Sequence, residues 1–77
     1  MLANEQQAVL IDKALEAAGL SPVEENIDLV KELLGLGMPV DSETVGELAR
    51  YSMKYPDASL NTIANLMRLD IPVTIII

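Results

Sequence analysis

The stretch GMPVDSETV, residues 37–45, packs a helix stop, a connector and a helix start into consecutive positions. Gly37 can take the left-handed conformation that closes a helix, and Met38 can fold back on the turn before it. Pro39 bars continuation. Asp41 or Ser42 can cap a new helix, and Glu43 suits its positive end. The same order occurs eighteen residues earlier in GLSPVEENI, residues 19–27, and part of it returns as IPVT, residues 71–74. An ungapped shift of eighteen places Gly19 on Gly37, Leu20 on Met38, Glu25 on Glu43, Asn26 on Thr44, Ile27 on Val45 and Val30 on Leu48.

Outward from this stretch, every long segment shows helical spacing. Ala8, Ile11, Ala14, Leu15 and Ala18 recur at threes and fours between Asn4 and Ala18, with no proline or glycine between them. Gly19 then supplies a stop. Ser21-Pro22-Val23-Glu24 reads as a start, with serine as cap, proline at the first helical position and Glu24 closing a capping box. Val23, Ile27, Val30, Leu33 and Leu34 form the apolar stripe of that second helix, and Gly35 and Gly37 end it. The third helix turns Val45, Leu48, Ala49, Ser52 and Met53 inward and stops at Tyr55-Pro56, since a residue before proline is pushed out of the helical region. Asp57 can cap a fourth, whose stripe is Leu60, Ile63, Ala64 and Met67.

The expected fold is all-α, a small bundle or array of four helices with tight Gly/Pro turns and a short apolar C-terminal tail. Residues 1–77 are expected to form one helical domain cut from a longer protein, with repeat-like units at 19–34, 37–55 and, incomplete, 71–77. The tail DIPVTIII, residues 70–77, has β-branched residues that favour a strand, while its first part repeats the second turn.

A unit made of a glycine stop, a buried apolar residue, a proline-bearing turn, a cap and an amphipathic helix buries its face only against its neighbours, as in helical arrays. The pattern G-[LM]-P-[VL]-[TD]-x-E-[NT]-[ILV] followed by a short helix resembles units in poorly characterised clostridial-type bacterial proteins, some of them similar to flagellar hook-length control proteins. The resemblance runs from about Ala14 to Thr74 and rests on GLSPVEENIDLV, GMPVDSETVGEL and LDIPVT. Unit one has Ser-Pro-Val where the pattern has Pro-Val-Thr, and unit three lacks the Glu-Asn continuation after Thr74. The resemblance implies a helical module in a flagellum-associated or otherwise uncharacterised protein, with no catalytic residues to carry over.

Composition narrows the function classes. Twelve acidic residues against five basic ones give a net charge of -7, which repels phosphate backbones, so no nucleic acid is expected as a partner. Cysteine and histidine are both missing, which leaves no disulfide and no ordinary zinc site. The start MLANEQQAVLIDK lacks the basic and apolar regions of a secretory signal, and no apolar run approaches the roughly 18 to 20 residues of a membrane span. A soluble protein, cytoplasmic or flagellum-associated, is expected.

Catalytic chemistry finds few groups to use. Ser21, Ser42, Ser52 and Ser59 have no histidine to take a proton, and each suits a cap or a helix face. Glu24, Asp28 and Glu32 recur every four residues and could attract a divalent cation, but a solvated face accounts for them and the wrap-around oxygens of a calcium loop are missing. Gly35-Leu36-Gly37-Met38 is helix punctuation rather than a phosphate cradle, which needs a preceding strand and a lysine. No enzyme, cofactor or metal is expected.

One cluster combines basic and aromatic side chains. Arg50, Lys54, Tyr51 and Tyr55 form two i,i+4 pairs near the end of the third helix, where cations complement the negative terminus. They are read as a helix-end complement with the tyrosine rings partly in the core, or as a docking surface for an acidic or peptide partner. Ile75, Ile76 and Ile77 form a second candidate surface, expected to pair two chains into a homodimer. The function expected is a helical protein-protein interaction or structural module, its partner unidentified. The competing expectation is a small acidic regulator, of the antitoxin or anti-activator type, that masks a basic surface.

Overall fold

The computed structural model describes the backbone of residues 2–73 and the side chains of residues 5–73. Ile75, Ile76 and Ile77, and the dimer expected from them, lie outside the described residues. The chain forms four helices, α1 (Leu2–Ala17), α2 (Glu24–Gly35), α3 (Ser42–Lys54) and α4 (Leu60–Arg68), and no strand occurs among the described residues.

α1 packs on α2 and α3, α2 on α3 and α4, and α3 on α4. Each helix therefore packs on at least two others, as in a small bundle. Leu15, Val30, Leu33, Val45, Leu48 and Ile63 are fully buried, and every helix contributes at least one of them. Burying an aliphatic side chain of this kind stabilises by about 1.5 to 3 kcal/mol. No polar or charged side chain among the described residues is buried, so nothing in that core needs an internal polar partner.

The repeated turn of the sequence is one hydrogen-bonded closure used three times. At the end of α1 the Leu20 N–H donates to the Leu15 carbonyl at 2.8 Å and the Gly19 N–H to Glu16 at 3.0 Å. At the end of α2 Met38 donates to Leu33 at 2.9 Å and Gly37 to Leu34 at 3.1 Å. After α4 Ile71 donates to Leu66 at 2.8 Å and Asp70 to Met67 at 3.1 Å. This pair of bonds is the Schellman motif, in which the residue just past the helix end is left-handed. Gly19, Gly37 and Asp70 have φ of 73°, 68° and 61°.

The helix starts depart from expectation twice. Ser21 and Pro22 precede α2 rather than beginning it, and its N-cap is Val23, which makes no side-chain capping bond. The Ser21 contribution is instead a carbonyl that accepts from Asn26 Nδ2 at 2.9 Å. α4 is capped by Ser59, whose hydroxyl accepts from the Thr62 N–H, because a turn from Tyr55 to Ala58 takes up Asp57. α3 starts as expected, with the Asp41 carboxylate accepting from the Thr44 N–H at 2.8 Å. The inner faces also shift: Ala8, Val23 and Met53 point to solvent, Met53 at 82% exposure, while Leu29 is buried.

Candidate interaction surfaces

α3 is anchored at both ends, which fixes the direction of its last turn. The Thr44 hydroxyl, followed by the Thr44 backbone N–H, holds the Asp41 carboxyl below the usual carboxylate range. Tyr55 ends the helix at φ -124° and ψ 70°, outside the helical region that the following Pro56 disfavours, and its N–H still donates to the Tyr51 carbonyl.

Arg50, Tyr51, Lys54 and Tyr55 lie together there, but they do not share one environment. Tyr51 and Tyr55 are half-buried and pack against the core, whereas Arg50 and Lys54 are exposed. The Lys54 ammonium stands 5.6 Å from the centre of the Tyr55 ring, within cation–π range. The result is two cationic groups in water beside two rings held in place by packing.

Tyr51 also lines a second feature that the sequence did not suggest as a site. A cleft of about 210 Å³ lies between α3 and α4, bounded by Glu47, Tyr51, Met67 and the third turn from Asp70 to Val73. Next to it the third turn differs from the second. Leu36 and Met38 are half-buried against the core, while their counterparts Leu69 and Ile71 are 55% and 37% exposed. The alignment of Leu36-Gly37-Met38-Pro39-Val40 with Leu69-Asp70-Ile71-Pro72-Val73 is legible in the sequence. The difference in exposure between the two turns is not.

Three of the remaining groups considered for chemistry, Glu32, Ser52 and Ser59, have structural partners. Glu32 Oε2 accepts from Asn61 Nδ2 at 2.8 Å, tying α2 to α4. Ser52 Oγ donates to the Ala49 carbonyl, and Ser59 shares a hydrogen bond with Thr62 Oγ1, both at 2.8 Å. Among the described residues no three acidic side chains gather closely enough to hold a metal ion. Among them, too, no helix is long and apolar enough to cross a membrane. No family model matches the chain, and neither curated proteins nor solved structures yield a match.

Proposed function

We propose that this chain is a non-enzymatic helical module that acts by binding another protein, and that its setting is flagellum-associated, as its repeated turn suggests. The observation that carries the reading is the patch at the end of α3. Its tyrosine rings are seated on the core and its Arg50 and Lys54 heads are exposed beside them. A rigid aromatic next to a free guanidinium gives contact area at little ordering cost, and these residue types dominate binding hot spots. An acidic segment of the partner is the chemical complement.

The test is photocrosslinking in the host cell from position 50, with Arg50 replaced by a photoreactive amino acid. A discrete protein adduct that disappears in Lys54→Glu is expected. Adducts no stronger than those from a crosslinker at Val9, exposed on α1, would overturn the reading.

A second reading is an acidic regulator that covers a basic surface. It is favoured by the exposure of Glu24, Glu25 and Asp28 on the first half of α2, close in sequence to exposed Asp41 and Glu43 at the start of α3. Adducts from position 28 in place of position 50 would select it.

A further inference from the structure

Two exposed faces of the molecule carry opposite charge at the same spacing. Near the end of α3, Arg50 and Lys54 are exposed four residues apart, with Met53 between them in sequence at 82% exposure. At the start of α2, Glu24 and Asp28 are likewise exposed four residues apart, beside Val23, which is 50% exposed. At a rise of about 1.5 Å per residue, each pair spans about 6 Å of helix axis. With the two helices antiparallel, Lys54 of one molecule meets Glu24 of a second while Arg50 meets Asp28. Met53 lies one residue inside Lys54 and Val23 one residue before Glu24, so the two exposed apolar groups come to the same end of the contact.

The match is selective on both sides. Among the five basic residues of the chain, Arg50 and Lys54 are the only two within four positions of each other. Three other carboxylate pairs have the same spacing, and each is worse placed. Asp12 and Glu16 have exposed Lys13 beside them. In the pair of Asp28 with Glu32, Glu32 is engaged by Asn61 at 2.8 Å. Glu43 and Glu47 lie on α3 itself, toward its opposite end.

We propose that the end of α3 binds the start of α2 in a second copy of this chain, through ion pairs from Lys54 to Glu24 and from Arg50 to Asp28 that close over Met53 and Val23. The proposal rests on the reading of the α3 end as a binding surface and takes a copy of the chain as what it binds. Each copy carries both faces, so the contact is used twice in a symmetric pair or repeated from head to tail. The charges set register and partner choice, and the covered apolar side chains add affinity. The overall charge of -7 opposes any self-association, so the contact is weak and needs its charges matched.

Sedimentation velocity of the full chain, over a series up to about 1 mM, should show a sedimentation coefficient that rises with concentration. Arg50→Glu with Lys54→Glu, and separately Glu24→Lys with Asp28→Lys, should each weaken self-association about tenfold or more, since like charges then face each other. An equimolar mixture of these two double variants should associate again, because each reversed face meets a complementary one. Asp12→Lys with Glu16→Lys changes the net charge as much as the α2 reversal does and should not weaken association, which separates a specific contact from general repulsion. All six residues are exposed, so the far-ultraviolet helical signal should stay near that of the parent. Should a reversal lower it, the neutral pair Arg50→Gln and Lys54→Gln should show the same loss more weakly. A parent that sediments as a monomer throughout, a mixture that fails to associate, or an equal loss from the α1 reversal would overturn the proposal. A monomeric parent with a position-50 adduct to a different protein would remove the second copy and leave the interaction module standing.

Discussion

The second and third turns share a backbone and differ in nearly everything attached to it. Each closes a helix with the same two hydrogen bonds, Met38 to Leu33 and Gly37 to Leu34 in one, Ile71 to Leu66 and Asp70 to Met67 in the other. The second has glycine at its left-handed residue and the third has aspartate. The second leads into α3 and its apolar residues are half-buried, while Leu69 and Ile71 of the third are exposed. Local hydrogen bonding thus defines the turn, and the same closure occurs with its apolar residues half-buried in one place and exposed in the other. The closure is a property of about six residues, and the burial is a property of the bundle.

Substitutions can break this comparison at different strengths. The largest effect should come from the bundle itself: Leu33→Ala and Leu48→Ala remove fully buried side chains and should each cost about 2 to 5 kcal/mol in urea unfolding. Leu69→Ala, at the exposed turn, should stay within about 0.5 kcal/mol of the parent. A cost at Leu69 comparable to that at Leu48 would show that the third turn is covered after all.

Gly37→Ala should be next, costing about 1 to 2 kcal/mol by putting a Cβ on a left-handed backbone. The added Cβ would meet nothing within 4 Å, so the cost is conformational rather than steric crowding from neighbours. Asp70→Gly should have the opposite sign, stabilising by up to about 1 kcal/mol as the same strain is relieved. Chemical denaturation of both variants checks whether the two turns share a backbone requirement.

The helix starts give a smaller pair of effects. Ser59→Ala should destabilise by about 1 kcal/mol through the lost bond to the Thr62 N–H. Val23→Ser should stabilise by roughly half that or more, since the N-cap of α2 has no side-chain acceptor. Thermal melts of the two variants should move in opposite directions.

The smallest effect is a pH dependence at Asp41. Its folded-state pKa is lowered, so its contribution is fully present above the ordinary value near 3.8 and is lost as pH falls through the lower folded value. The stability difference between the parent and Asp41→Asn should therefore be greatest at neutral pH and shrink in acid. A difference that grows on acidification would contradict the capping geometry.

Much of the fold can be read from residue spacing because helix ends are written locally. Gly19 and Gly37 mark stops since glycine alone takes positive φ without strain, and Asp41 marks a start because its carboxylate needs only a free N–H. Asp70 is less visible as a stop, because aspartate takes the left-handed region far less often than glycine. Ser21-Pro22 misplaces the start of α2 because both residues have good capping chemistry, but the closure at Gly19 carries them past in the connector. The shift of eighteen residues holds the better answer, since it pairs Val23 with the Asp41 cap. Met53 reads as inward because apolar spacing fixes a stripe to within one residue on either side, and only the positions of α2 and α4 decide its edge. The patch at Arg50 to Tyr55 is legible as a cluster. Its division into seated rings and exposed cations, and the α3–α4 cleft beside it, depend on tertiary packing that no short stretch encodes.

Amide hydrogen exchange by NMR at Leu20, Met38 and Ile71 tests the repeated closure most directly. Each N–H donates to the carbonyl five residues back, at 2.8, 2.9 and 2.8 Å, so all three should exchange far more slowly than the unstructured rate. Ile71 should be the fastest of the three, because its turn is the one with exposed apolar residues. Unprotected exchange at Ile71 beside protected Leu20 and Met38 would contradict the account, since the third turn would then share only the sequence of the other two.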